Sequence, residues 1–234
     1  MNNWISINGR HSATVTGLII QELPPIVKPP MRTEITEVDG RDGDVIDRLG
    51  YAAYDRPLRI GLRGNFDIDK VISYFDQSGK ITFSNEPDKY YLFDILEQID
   101  FERLLRFRTA DVQIHVQPGK YAVADAPLTI NASGISSASI YNFGNTKSTP
   151  KINVIGEGDI TLSLNGVEVL EIELGTNGNV IIDTFTQNAV KDGVFMNRII
   201  YGNPANLRFK PGKNTLSWSG TVESFIISDA SKWI

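Results

Sequence analysis

Residues 141–166 read YNFGNTKSTPKINVIGEGDITLSLNG. The stretch opens on turn-forming residues. It then alternates apolar Ile152 and Val154, and later Ile160, Leu162 and Leu164, with polar neighbours, the pattern of strands buried on one face. Asn165-Gly166 closes it with a dipeptide suited to a tight hairpin turn. This is how a β-sandwich domain begins.

The sequence beyond it continues in the same style. Strand cores are expected at residues 152–156, 160–165, 170–174, 180–184, 215–220 and 224–228. Turns are expected at Gly156/Gly158, Asn165-Gly166, Asn177-Gly178, Asp192-Gly193, Gly202-Asn203-Pro204 and Pro211-Gly212. No helical periodicity interrupts them, so the C-terminal half is predicted to be a sandwich or jelly roll.

The N-terminal half is more varied. Asn8-Gly9 marks a hairpin turn between two short strands. Pro24, Pro25, Pro29 and Pro30 lack amide donors and imply an extended connector. Asp39-Gly40 and Asp42-Gly43, flanked by Ile35 and Val38 and by Val45 and Ile46, imply a protruding charged hairpin. Such a hairpin is either a solvated loop or an arm that reaches a neighbouring subunit.

Leu58, Ile60 and Leu62 alternate with Arg59 and Arg63 in a half-buried strand. Arg59 and Arg63 are candidates to line a channel, to pair with a neighbour's acids or to face solvent. Ile68, Val71, Ile72 and Phe75 recur at helical spacing, with Asn65 or Asp67 as the cap and Gly79 as the stop. Asp67 and Asp69 fit a first helical turn better than a catalytic pair. Residues 80–117 read as three strand-like runs, with Tyr90, Tyr91 and Phe93 in the core. Val112, Ile114 and Val116 point inward there, and Gln113 and His115 outward.

The chain has 234 residues, a hydrophobic share of 41% and a net charge of −5, enough for one large or two medium domains. Met1 to Asp125 carries 15 Lys/Arg and 19 Asp/Glu, against 8 and 9 from Ala126 onward. The change falls in PGKYAVADAP, residues 118–127, read as a linker. The expected domains are therefore 1–120 and 126–234.

Several chemistries lack their residues. The balance is not the basic one that nucleic-acid binding requires. With no cysteine there is no disulfide framework and no thiolate nucleophile or metal ligand. His11 and His115 lie in no metal-binding spacing. Gly156-Glu157-Gly158 lacks the following helix and third glycine of a dinucleotide site. There is no phosphate-cradling Gly-Lys-Ser/Thr loop and no Gly-x-Ser-x-Gly. Asn131-Ala132-Ser133 fits the glycosylation pattern, without a secretory signal beside it. No apolar run reaches the roughly 20 residues a bilayer requires. No enzyme, cofactor or metal site is expected.

Carbohydrate recognition needs exposed aromatic platforms. Tyr141, Phe143, Tyr201, Trp218 and Trp233 are the aromatics considered. Trp218 shares the phase of Leu216 and is expected inside, and Trp233 is expected to seal an edge. Tyr141 and Tyr201 are the candidate carbohydrate contacts.

The order of features carries a resemblance. WISING comes first, then VDGRDGDV in a charged arm, a helix, and GKITFSNEPDKYYLFDIL. RFRTADVQIHVQPGKY follows, then NFGNTKSTPKINVIGEGDITLSLNG and the closing NLRFKPGKNTLSWSG and KWI. Over nearly its whole length the chain resembles the distal tail proteins (Dit) of long, flexible-tailed bacteriophages.

The resemblance implies a mostly β fold. Its N-terminal ring-forming domain would have one helix and an extended belt hairpin near 31–57. Its C-terminal β-sandwich would be galectin-like, or like a carbohydrate-binding module. It implies a hexameric ring at the distal end of the virion tail, made in the host cytoplasm, whose channel passes DNA. The major tail tube protein would lie on one side and the tail-associated hub or lysin protein on the other. The tape measure protein or receptor-binding proteins would be further partners, with no membrane insertion. In the belt, Glu37, Asp39, Arg41, Asp42, Asp44 and Arg48 would make subunit contacts. Long loop insertions are absent, which implies a compact hub. A carbohydrate-binding protein contacting the host wall is the alternative, and a tail-associated hydrolase, without a visible catalytic pair, the third reading.

Overall fold

The computed structural model describes residues 3–124, 126–176 and 178–234. The chain divides into two compact units that part between Val123 and Ala124. Both are mostly β.

The first unit runs β1 (Ile5–Ile7), β2 (Arg10–His11), β3 (Leu18–Glu22), β4 (Met31–Glu37), β5 (Asp44–Tyr51), β6 (Tyr54–Leu62), α1 (Ile68–Phe75), β7 (Gly79–Phe83), β8 (Lys89–Asp94), α2 (Phe101–Phe107) and β9 (Thr109–Ala122). Seven strands form an antiparallel sheet in the order β2-β1-β7-β8-β9-β6-β3. Strands β4 and β5 form a separate two-stranded sheet. Leu58, Ile60 and Leu62 of β6 pack with Val112, Ile114 and Val116 of β9 in one core, as their period-two spacing dictates. Asn8 and Gly9 have φ of 49° and 82° and turn β1 into β2. The Asp67 carboxylate accepts from the Lys70 amide at 3.3 Å and caps α1.

Three expectations change here. Helix α1 buries Val71, Tyr74 and Phe75, while Ile72 is exposed. Its last turn ends at Asp76, and Gly79 opens β7 instead of closing the helix. Tyr74 replaces Ile72 inside because its hydroxyl donates to the Arg10 carbonyl at 3.0 Å. A second helix, α2, breaks the run read as strands. Asp100 caps it, accepting from the Arg103 amide at 2.8 Å, and Arg108 ends it at φ 59°. Finally, β9 continues through Pro118–Ala122, where the composition implied a linker.

The second unit runs β10 (Leu128–Asn131), β11 (Ser137–Asn142), β12 (Lys151–Leu164), β13 (Val167–Glu173), β14 (Gly178–Asp183), β15 (Asn188–Lys191), β16 (Val194–Phe195), β17 (Ile200–Gly202) and β18 (Gly212–Ser228). One half of β12 and β18 builds the layer β10-β18-β12-β14-β15-β16. Their other half builds β11-β18-β12-β13-β17. The segments 152–156 and 160–165 are therefore one bent strand, as are 215–220 and 224–228. No turn forms at Gly156/Gly158. Instead the register shifts between Glu157 and Thr161, and glycine lets the strands meet. A Cβ on Gly156 would lie 2.3 Å from the Thr221 carbonyl oxygen, and one on Gly220 would lie 2.2 Å from that of Asp159. The inner faces of both layers share one core, including Val154, Leu162, Leu170, Val180, Leu216 and Phe225. The turn expected at Asn177-Gly178 falls on Asn177, outside the described residues.

Candidate assembly interface

Hairpin β4–β5 stands apart in its burial. None of its residues from Met31 to Tyr51 is buried. Ile35 pairs across the strands with Ile46, and Glu37 with Asp44. Glu34 pairs with Asp47. Directly opposed like charges destabilise an antiparallel pair. Two such acidic pairs therefore weaken a hairpin that is already marginal as an isolated two-stranded sheet. Its tip turns on Gly40 and Gly43, with φ of 80° and 79°, and the Arg41 amide donates to the Val38 carbonyl at 3.1 Å. Glu37, Asp39, Arg41, Asp42, Asp44 and Arg48 are all exposed on this arm.

The root of the arm is held tightly. The Ala52 amide donates to the Pro30 carbonyl at 2.8 Å and closes the hairpin. Behind it, Arg56 is 1% exposed. Its Nη2 donates to the Pro25 carbonyl at 3.0 Å, and the Asn85 side-chain amide donates to the Pro24 carbonyl at 3.0 Å. The proline connector thus hangs from two side chains of the domain. The Arg56 guanidinium lies against the faces of Phe83 and Tyr91, where ring electrons stabilise a desolvated cation.

A buried polar cluster continues from there. Lys120 pairs with Glu86 at 2.6 Å, and the Tyr91 hydroxyl donates to the same carboxylate. Burial first, and then that hydrogen bond, push the Tyr91 phenol well above its ordinary value. Burial likewise raises Tyr54, which Arg56 partly offsets. Buried charges persist where each is paired and hydrogen-bonded. The cluster locks β6, β8 and β9 beneath the arm.

The remaining candidates are dispersed. Arg59 is occupied within its own chain, bonding Asp111 at 2.8 Å and Glu22 at 3.0 Å. Arg63 is exposed. The His115 Nδ1 lies 2.7 Å from Asp55, and the His11 ring packs on Trp4. Among the described residues no group of three or more His, Cys, Asp or Glu could hold a metal ion, and no helix is long and apolar enough to cross a membrane. Trp218 is buried against Phe225. Tyr141 and Tyr201 are exposed, but on strands at opposite edges of the layer β11-β18-β12-β13-β17. Four strand spacings separate them, on the order of 20 Å, so they form no joint site. Tyr141 instead pairs with exposed Phe143, ring centroids 4.8 Å apart. Tyr201 bonds Glu173, which raises its phenol above the ordinary value.

Arg56, Glu86, Tyr91 and Lys120 form the cluster that sequence reasoning missed. A signal for two of them exists. Arg56 shares the phase of Leu58, Ile60 and Leu62, and Lys120 shares the phase of Val112, Ile114 and Val116. A charge on the apolar phase of a strand implies a buried, partnered charge.

No family model and no curated protein sequence matches the chain. Solved structures do match it in fold. The Dit protein (gp 19.1) of phage SPP1 aligns with a TM-score of 0.65 at 15% identity, covering 97% of this chain and 98% of that one. A chain of the phage P2 baseplate, in its activated conformation with Ca, aligns with a TM-score of 0.52 at 10% identity and the same coverage. The chain therefore shares its fold with SPP1 Dit and with a chain of the P2 baseplate, over nearly the full length of each.

Proposed function

We propose that this chain is a structural, non-catalytic subunit of a phage tail tip. Copies close head to tail into a hexameric ring, each laying its hairpin Met31–Tyr51 on the next. Glu37, Asp39, Arg41, Asp42, Asp44 and Arg48 make contacts between copies. The ring joins the tail tube protein to the tail-associated hub protein, and DNA passes through its opening. It resides at the distal end of the virion tail and is assembled from chains made in the host cytoplasm.

The observation that carries this reading is the arm itself. Its exposed apolar residues and opposed acids suit contact with another chain better than isolation in water. It sits in a chain whose fold matches SPP1 Dit, a paradigm of the hub adsorption apparatus in phages that infect Gram-positive hosts. Head-to-tail contacts that close by rotation generate such rings.

Light scattering coupled to size exclusion, over a concentration series, tests it. The expected mass is about six times the 26.0 kDa chain, with rings visible by electron microscopy. A strict monomer in the presence of the tail tube and hub proteins overturns it.

One observation favours a second reading. The exposed Tyr141–Phe143 pair is the kind of surface on which a sugar ring stacks. Binding of wall polysaccharide that Tyr141→Ala abolishes would establish carbohydrate recognition by the sandwich. Equal binding by both proteins would remove it.

A further inference from the structure

If the arm is passed between copies, as proposed above, some surface must receive it. One of its faces presents Ile35 and Ile46 side by side, with Glu37 and Asp44 two positions along. That step is about 7 Å along the strands. A receiver therefore needs exposed apolar side chains with a cation beside them.

Several cations of the first unit are already committed. Arg59 is held by Glu22 and Asp111, Lys70 by Asp67, and Lys89 by Asp88. Arg10 lies over Tyr74. Helix α2 is different. It buries only Leu104 and leaves Leu105 and Phe107 exposed, with Leu96 exposed before it. Phe107 is 65% exposed and Leu96 is 72% exposed. Arg103 lies one turn from Phe107 on the same helix face, about 6 Å along the axis. Arg103 has no ion-pair partner among the described residues, and Arg106 meets Glu102 only at 3.7 Å. Arg103, Arg106 and Phe107 line one open cleft of about 600 Å³ together with Asp100, Glu102 and Thr109. Asp100 is engaged at the Arg103 amide, so the guanidinium of Arg103 remains available.

We propose that α2 receives the arm of a second copy of this chain: Phe107 covers Ile35 and Ile46, and Arg103 and Arg106, which line the same cleft, take the opposed carboxylates of Glu37 and Asp44. Spacing and charge match on both sides. Docking relieves the repulsion across the hairpin and removes apolar surface from both partners. The contact is heterologous, arm to helix, as a closed ring requires.

The chain has no cysteine, so the contact can be trapped. Protein carrying Ile35→Cys is mixed with protein carrying Phe107→Cys, at a concentration where the mass shows assembly, and mildly oxidised. A mixed disulfide dimer between the two variants is expected, in excess of either self-linked dimer. In parallel, Arg103→Glu with Arg106→Glu should raise the concentration needed for assembly about tenfold, a rim-charge effect. Glu37→Arg with Asp44→Arg should do the same, and an equimolar mixture of those two proteins, whose mixed contact has restored complementarity, should recover. Rings that neither cross-link nor respond to charge reversal would overturn the α2 surface and leave the ring reading intact. A monomer under all conditions would overturn both.

Discussion

The Arg56 guanidinium lies over both rings of the edge-to-face Phe83–Tyr91 pair, 4.7 and 4.5 Å from their centroids, while its Nη2 donates to the Pro25 carbonyl. One side chain thus joins the sheet of the first unit to the connector that leads into the arm. Lysine cannot reproduce the flat guanidinium contact with the two rings. Arg56→Lys is expected to lower stability by about 2 kcal/mol, and Arg56→Ala by about 3 kcal/mol, through a cavity and an unpaired carbonyl. Limited proteolysis distinguishes this from a uniform loss of stability, because cleavage within residues 23–30 should accelerate first.

The arm should contribute almost nothing to the stability of an isolated chain. It has no buried residue, and surface changes of this kind stay within about 1 kcal/mol. Replacing residues 32–50 by a short Gly-Ser turn should therefore leave thermal unfolding nearly unchanged. Self-association, read by light scattering, should be lost. A large fall in melting temperature would show that the arm belongs to the monomer's own fold.

Asn142 is the fastener of the second unit. Its side-chain amide donates to the carbonyls of Thr146 and Phe209, and its oxygen accepts from the amides of Gly144 and Lys232. Asn142→Ala leaves these buried groups unpaired and should cost about 3 kcal/mol. Gly144→Ala should also be severe, since a Cβ there would lie 1.7 Å from the Lys232 carbonyl oxygen. Chemical denaturation monitored at Trp218 measures both.

Lys232 makes stability depend on alkaline pH. Burial first, and then the charge of Arg208, lower its pKa from 10.5 to about 8. The unfolded chain then binds more protons than the folded one between those values, so stability rises as pH rises through this window. The gain from pH 7 to 9 should be about 1 kcal/mol. Lys232→Met should flatten this part of the profile.

Much of the fold was legible where burial is one-sided. The alternation at Leu58, Ile60 and Leu62, and again at Ile160, Leu162 and Leu164, placed strands correctly because each faces one core. The exposed hairpin was legible from its turn residues. Helix α2 was not, because over two turns its apolar period is a single step, Phe101 to Leu104, set among other apolar residues that stay exposed. The bend in β12 was read as a turn, since Gly156 and Gly158 resemble one locally. Their role is set by Thr221 and its neighbours, distant in sequence. At the candidate site, the exposed acids of the arm were readable from charge alone. The anchor is hidden by its surroundings: Arg56 stands in a charged stretch, and only its phase with Leu58, Ile60 and Leu62 marks it as buried.

Strand β18, the last of the strands described, runs through both layers of its unit and pairs with β10, β11 and β12. During synthesis, β10 to β17 emerge without the element that holds both layers together. The sandwich can close only after residues 212–228 have left the ribosome, whereas the first unit is complete long before. Distant pairings of this kind fold slowly. A chain truncated at Pro211 should therefore keep a folded first unit beside an unfolded second one, and the arrival of β18 acts as the release signal for the whole sandwich.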